Sequence, residues 1–483
     1  MREAAPNLNF DDSALSLSAA SSPALSRAAA EQDDVRPTRA AAEIEDAATI
    51  LEFLAWGRHK APNFDQLVAD PNSVLALPPG DKSLDSGAAD LHPLRITDDP
   101  SSLPLLQLLL PEPATLTKMT NYHCDALLWY HASFHGRIFQ DQVDRFLQQH
   151  QGRIEDQWVD LQWVALLFAV LAGSMTCAPR RVVLLWGFED PERATLAQRL
   201  FKAALVCLNL ADYTARHSLY GIQCIATMTI SAHLLGFSNS HSVKLASAVR
   251  IAQSLGMHRL GAETDDHPSN RVRKEIGRRL WTELCIQDWF SIPFSESYLI
   301  HRRDFNTQKP GNCTYDDGMP AMPDTVPTLV TYHRFLYDIA ILMPQLQDDL
   351  SASHTLYTQY EHVIRYDTQM RTLVSQHVPP CLQNMPLESS WPRYIPWARH
   401  CLAISSAHKI IMIHRKFLWS SFTNPAFTFT RKTCIAAAKT IIREQKQVAE
   451  EDGPVLWIYH AFTVAASVSL PASSDPTFNA EIS

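Results

Sequence analysis

From about Leu116 onward, apolar residues recur at three- and four-residue spacing and hardly ever alternate, a pattern that commits the chain to helices rather than strands. It predicts helices over 117–134, 141–150, 158–174, 191–209, 214–235, 240–256, 271–290, 327–350, 355–376, 397–419, 429–448 and 454–468. Proline- and glycine-bearing gaps separate many of them, notably 294–327 and 377–396. No repeat of fixed period is evident. The expected fold is all-α, one large multi-helix domain over residues 116–470.

The flanks read differently. Residues 1–47 are rich in Ala, Ser, Asp and Glu with almost no aromatics, the composition of a disordered arm. Residues 48–115 are predicted as a linker with short helices, including Ile50–Trp56 and the leucine cluster at 103–110. Residues 471–483 are polar and unpatterned, an unstructured tail. The longest apolar run, Trp163–Met175, falls short of the roughly 20 residues that span a bilayer. The first residues offer no apolar core for a signal peptide. No membrane association is expected.

The formal net charge of −9 counts against tight nucleic-acid contact by the body of the chain, because phosphate binding calls for a basic face. Nine cysteines are scattered, and the closest two, Cys207 and Cys224, lie 17 positions apart. Thiolate zinc sites usually contain a closely spaced ligand pair. An odd count with no secretory signal also argues against a disulfide framework. The expected compartment is reducing, nuclear or cytosolic.

No Gly-rich phosphate loop, G-x-S-x-G elbow or H-E-x-x-H helix is present. His131 and His135 are four apart on a predicted helix, but no glutamate base accompanies them, so packing is the better reading than a metal site. The aspartate pairs 265–266, 316–317 and 348–349 lack a third carboxylate three residues on. They read as solvated loop acids or helix caps rather than magnesium ligands. No catalytic, cofactor-binding or metal-ligating residue is therefore assigned, and an all-α enzyme is the least favoured reading.

The most informative segment runs from Lys274 to Ile300. Wound as a helix, it places Ile276, Leu280, Trp281, Leu284 and Cys285 on one broad face and Arg279, Thr282 and Glu283 opposite. Asp288 falls within the apolar face. A buried lone carboxylate costs several kcal/mol unless it is paired or hydrogen-bonded. Arg250, on the preceding predicted helix, is the expected partner. The basic run Arg271, Arg273, Lys274, Arg278 and Arg279 could touch phosphates, but Glu275 and Glu283 make a salt-bridged helix face the better expectation.

Ala248–Gly261 (AVRIAQSLGMHRLG) followed by Glu275–Phe294 (EIGRRLWTELCIQDWFSIPF) resembles the middle homology region of fungal zinc-cluster transcription factors. Arg250, Leu255, Gly256 and His258 match its first motif; Arg278, Arg279, Trp281 and Asp288 match the Arg-Arg-x-Trp motif with an aspartate seven residues on. Ile413–Lys439 is similar to the family's later His-Arg helix, with His414 and Arg415, and to the Cys-x-x-Ala-Ala helix after it. The resemblance runs from about 115 to 468. Two departures stand beside it. No cysteine precedes Cys124, where the family carries a six-cysteine zinc cluster, and Ser295-Glu296-Ser297 replaces a common Gly-Arg-Pro triplet.

The resemblance implies a nuclear transcription regulator of RNA polymerase II genes, acting on a metabolic pathway or secondary-metabolite gene cluster. Zinc belongs to the family, but with its six-cysteine site missing no cofactor is expected here. The implied partners are related regulators, as homodimer or heterodimer, and a small-molecule effector. Promoter DNA is reached either directly or, in the alternative reading, through a full-length relative that this chain modulates. The abrupt polar C-terminus fits a shortened gene product as well as a compact regulator.

Overall fold

The computed structural model describes residues 98–262, 268–314, 319–450 and 453–468. The N-terminal arm, the linker up to residue 97, the tail, and the aspartates at 265, 266, 316 and 317 lie outside the described residues. The architecture is all-α: α1 (Pro113–Ala126), α2 (Gly136–Gln149), α3 (Leu161–Cys177), α4 (Asp190–Leu210), α5 (Leu219–Ala232), α6 (Ser238–Ser254) and α7 (Pro268–Phe290) come first. Then follow α8 (Thr331–Ala340), α9 (Leu342–Ala352), α10 (Leu356–Gln376), α11 (Ile395–Leu418), α12 (Thr428–Glu450) and α13 (Trp457–Val468), with short helical turns between. Among the described residues the sole β feature is an isolated bridge between Cys313 and Ala321. No described helix is long and apolar enough to cross a membrane.

Two helices are buried on nearly every side, and the rest pack around them. Asp160 caps α3 by accepting the Gln162 N–H at 2.8 Å. Almost every residue of α3 is inaccessible, as its unbroken apolar composition requires. It packs against α1, α4 and α5. A Cβ on Gly173 would stand 2.6 Å from Ile230 Cδ1, so glycine is what lets α3 and α5 approach so closely. The second is α11, buried from His400 to His414 and flanked by α8, α10, α12 and α13.

The two groups meet through α7, α8 and an aromatic joint. The Trp129 ring stacks on Tyr394 (5.3 Å between centroids, 10°) and meets Tyr332 of α8 edge-on at 5.0 Å. The Val455 N–H donates to the Cys177 carbonyl at 2.8 Å, tying the approach to α13 onto the end of α3.

Three expectations need correcting. The helix predicted over 327–350 is broken after Ala340, because Pro344 offers no N–H to the Ala340 carbonyl and its ring would clash there. The one over 117–134 is interrupted at Leu127: α1 ends at Ala126, and a short helix Leu128–His131 follows before Ala132 turns into the left-handed region (φ 47°). His131 and His135 therefore do not share a helix; His135 caps α2, accepting the Ile138 N–H at 3.4 Å. Within the predicted linker, Leu103–Leu108 is helical, and Leu106 is fully buried.

Candidate functional site

The first motif closes α6. Gly256 adopts φ 76°, a conformation a side chain would strain, and so turns the chain into the tight turn Met257–Arg259. His258 then lies 6.0 Å from the Trp281 ring, which also meets Phe305 at 5.5 Å. Arg250 points outward. It reaches Gln253 at 3.4 Å and lines a surface groove with His217, His258 and Arg259.

Arg250 is thus not the partner of Asp288. The Asp288 carboxylate accepts the Leu299 N–H at 2.9 and 3.1 Å and the Ile300 N–H at 2.8 Å. Trp289 Nε1 donates to the Ile300 carbonyl at 2.9 Å, so the last turn of α7 grips the returning loop from both sides. Backbone donors from a loop are invisible in a helical projection, which points instead to a side chain on α6.

Burial pushes the Asp288 carboxyl up to about 6, although the two N–H groups pull it down. The folded value lies above the ordinary 3.8, so the folded state holds this proton more tightly. Stability from this group is complete below about pH 4 and lost as pH rises through about 6. Asp288→Asn cannot ionise. Its stability relative to the native chain should therefore shift in its favour by roughly 3 kcal/mol between pH 4 and pH 7. Urea unfolding of both proteins at four pH values checks this; a constant difference would contradict it.

The second motif is also more buried than a two-faced helix allows. Arg279, Thr282 and Glu283, expected on the outer face, are 1–3% exposed. The cause is that α5, α6 and α8 all pack on α7. Glu275 takes Arg278 Nε at 3.1 Å, Arg279 Nε at 3.2 Å and the Gly311 N–H at 3.2 Å. Arg278 and Arg279 are therefore interior ion-pair members rather than part of a surface basic run, while Arg273 is exposed. Glu283 pairs with His333 Nε2 at 2.8 Å.

In the third motif, His414 is fully buried, with Nδ1 2.9 Å from Thr430 Oγ1 and Nε2 3.2 Å from Asp367. Arg371 Nε donates to Asp367 at 2.8 Å. Burial alone would raise the Asp367 carboxyl, but the His414 and Arg371 contacts outweigh it and hold it low. Arg415 lies over the Phe294 ring at 5.7 Å.

Two buried histidines, His123 and His131, form a closed chain. Ser133 donates to His131 Nδ1, His131 Nε2 lies 3.0 Å from His123 Nε2, and His123 Nδ1 meets the Val170 carbonyl at 3.0 Å. One tautomer assignment satisfies all four ring nitrogens. Burial lowers His123 to about 3 and His131 well below its ordinary value. No group of three His, Cys, Asp or Glu suited to a metal occurs among the described residues. Asp348 and Asp349 lie within α9 rather than in a loop or a cap, and are held by Tyr298, Tyr366 and Arg365.

Where the two helical groups meet, they line a partly open cavity of ≈ 270 Å³. Its wall comes from α6, α7, α8, α11, α13 and the loop that Asp288 grips. Phe290, Leu336 and Phe462 give it an apolar body, and Lys409 of α11 brings an amine to it. Sequence reasoning missed Lys409. The available signal was a lysine directly before the apolar run Ile410–Ile413 within the predicted helix 397–419.

Fold and site together define the class: an all-α domain assembled around a partly open cavity. No family model matches the chain. It is 23% identical over 364 residues to the agnestins biosynthesis cluster transcription factor AgnL11 of Paecilomyces divaricatus, covering 70% of this chain and 51% of the relative. It is 23% identical over 357 residues to the Zn(2)-C6 fungal-type transcription factor mpsB of Macrophomina phaseolina (71% and 46% covered). Transcription factor TAS2 of Pyricularia oryzae matches at 23% over 318 residues (60% and 40% covered). The chain is thus similar to fungal zinc-cluster transcription factors, as its motifs imply. It spans about half the length of the curated relatives it matches. In fold it is similar to the K. lactis CBF3 core, with a TM-score of 0.54 at 12% identity, covering 88% of this chain and 79% of that one.

Proposed function

We propose that the chain is a nuclear transcription regulator of RNA polymerase II genes, that those genes form a secondary-metabolite cluster, and that the helical body takes up a small-molecule effector in its cavity. The observation that carries this reading is its similarity, across most of the helical body, to relatives named as transcription factors, one of them a biosynthesis cluster factor. No catalytic role is proposed.

Deleting the coding sequence should change a contiguous group of biosynthetic transcripts together; an unaltered transcript profile would overturn the proposal. A second reading, control through related regulators without direct DNA contact, is favoured by the net charge of −9. Genomic-fragment selection by the purified chain at two salt concentrations separates the two. Sequence-specific retention at the higher salt means direct contact, and loss of all binding means a partner supplies it.

A further inference from the structure

The surface groove at the end of α6 gathers four basic side chains, Arg250, Arg259, His217 and His258, against one carboxylate, Asp304. Arg250, Arg259 and His217 are exposed. His217 Nε2 donates to the Thr214 carbonyl at 3.0 Å and Nδ1 lies 2.9 Å from Ser254 Oγ, which fixes the ring on one wall. Arg250 meets the neutral Gln253 at 3.4 Å, and Asp304 lies 3.8 Å from Arg303, a cation outside the groove. The groove therefore presents a surplus of positive charge on a chain whose net charge is −9.

The negative charge is concentrated elsewhere. Residues 1–97 hold 15 Asp and Glu against 8 Lys and Arg, a net −7. Within them Glu31, Asp33, Asp34, Glu43, Glu45 and Asp46 fall inside one stretch of sixteen positions. The described body begins near the groove: Asp98 accepts from Asn209 Nδ2 at 3.0 Å, and Asn209 is eight positions before His217. Eight residues span at most about 29 Å, whereas the 51 residues 47–97 can extend to roughly 170 Å, so reach is no obstacle.

We infer that the acidic segment Glu31–Asp46 of this chain docks in the groove, its carboxylates facing the Arg250 and Arg259 guanidinium forks, which match carboxylate geometry. Each exposed ion pair contributes little by itself. The tether decides the balance. A segment of the same chain meets the groove at an effective concentration of about millimolar, so even a millimolar affinity fills about half of the grooves. The contact gives Arg250, which the fold leaves at the surface, a partner that helix packing does not supply. It is independent of the cavity and of any effector.

The test is arginine footprinting of the full chain with phenylglyoxal, read by mass spectrometry at low and high salt. The reference is a chain carrying Glu31→Gln, Asp33→Asn, Asp34→Asn, Glu43→Gln, Glu45→Gln and Asp46→Asn. At low salt Arg250 and Arg259 should react about threefold or more slowly in the native chain than in the reference. High salt should abolish the difference, and Arg273, exposed on α7, should react alike in both chains. Conversely, Arg250→Glu with Arg259→Glu, both at surface positions, should release the segment and speed tryptic cleavage after Arg39 severalfold. Equal arginine rates in the two chains, a difference undiminished by salt, or unchanged cleavage after Arg39 would each overturn the inference. So would a DNA duplex that protects both arginines when the six replacements leave their rates unaltered, since the groove would then be a phosphate contact.

Discussion

Replacing Glu275 with alanine is expected to destabilise the protein by about 3–5 kcal/mol, the cost of stranding buried charge. Glu275 is 1% exposed and holds both Arg278 and Arg279, each 2% exposed, as well as the Gly311 N–H. Its removal leaves two interior guanidinium groups without this carboxylate. Glu275→Gln keeps the shape and one acceptor oxygen, and should fall between alanine and the native residue. Arg273→Ala, on the exposed side of the same helix, should stay within about 0.5 kcal/mol of the native chain. Urea unfolding measures all three. A midpoint for Glu275→Ala that coincides with Arg273→Ala would mean the interior ion cluster does not contribute.

Asp288→Ala should cost about 2–3 kcal/mol at neutral pH, because it orphans the N–H of buried Ile300 at about 1–3 kcal/mol and that of half-exposed Leu299 at less. The damage should be local first. The loop gripped by Asp288 forms one side of the cavity, so hydrogen exchange at residues 295–300 should accelerate before the body unfolds. Arg250→Ala is the contrasting variant: with its side chain at the surface, it should leave both stability and loop exchange unchanged. Equal effects of the two substitutions would instead support an Asp288–Arg250 pairing.

The helices were largely legible because their signals are local. The apolar spacing of 158–174 and 397–419 lands within three residues of α3 and α11 at both ends. Where local signals competed, the sequence reading failed in identifiable ways. Pro344 splits one predicted helix, yet a proline in the first turn of a new helix looks the same in sequence as one inside a longer helix. Glu283 and Arg279 looked like solvent-facing residues because charge opposite an apolar face usually is. Nothing in Lys274–Ile300 announces that His333, 50 positions on from Glu283, will meet it in the interior.

The motif residues divide in the same manner. That Asp288 needs a partner followed from the cost of burying a carboxylate, whatever the fold. Which partner it found depended on the path of the loop back to Leu299. Gly256 and the end of α6 are fixed by backbone conformation and are local. The pairing of His414 with Asp367 joins α11 to α10, and is not.

By itself, then, the sequence determined the all-α class, most helix boundaries, the motif resemblance and the demand that Asp288 be hydrogen-bonded, all consequences of interactions between near neighbours in the chain. Tertiary structure alone decided that Arg279, Thr282 and Glu283 of α7 are buried, that Glu275 collects two arginines inside, and that Lys409 lies against Phe290 and Phe462 at the wall of a cavity. Those depend on which helices lie against which, and side chains far apart in sequence carry no local record of the surface they will face.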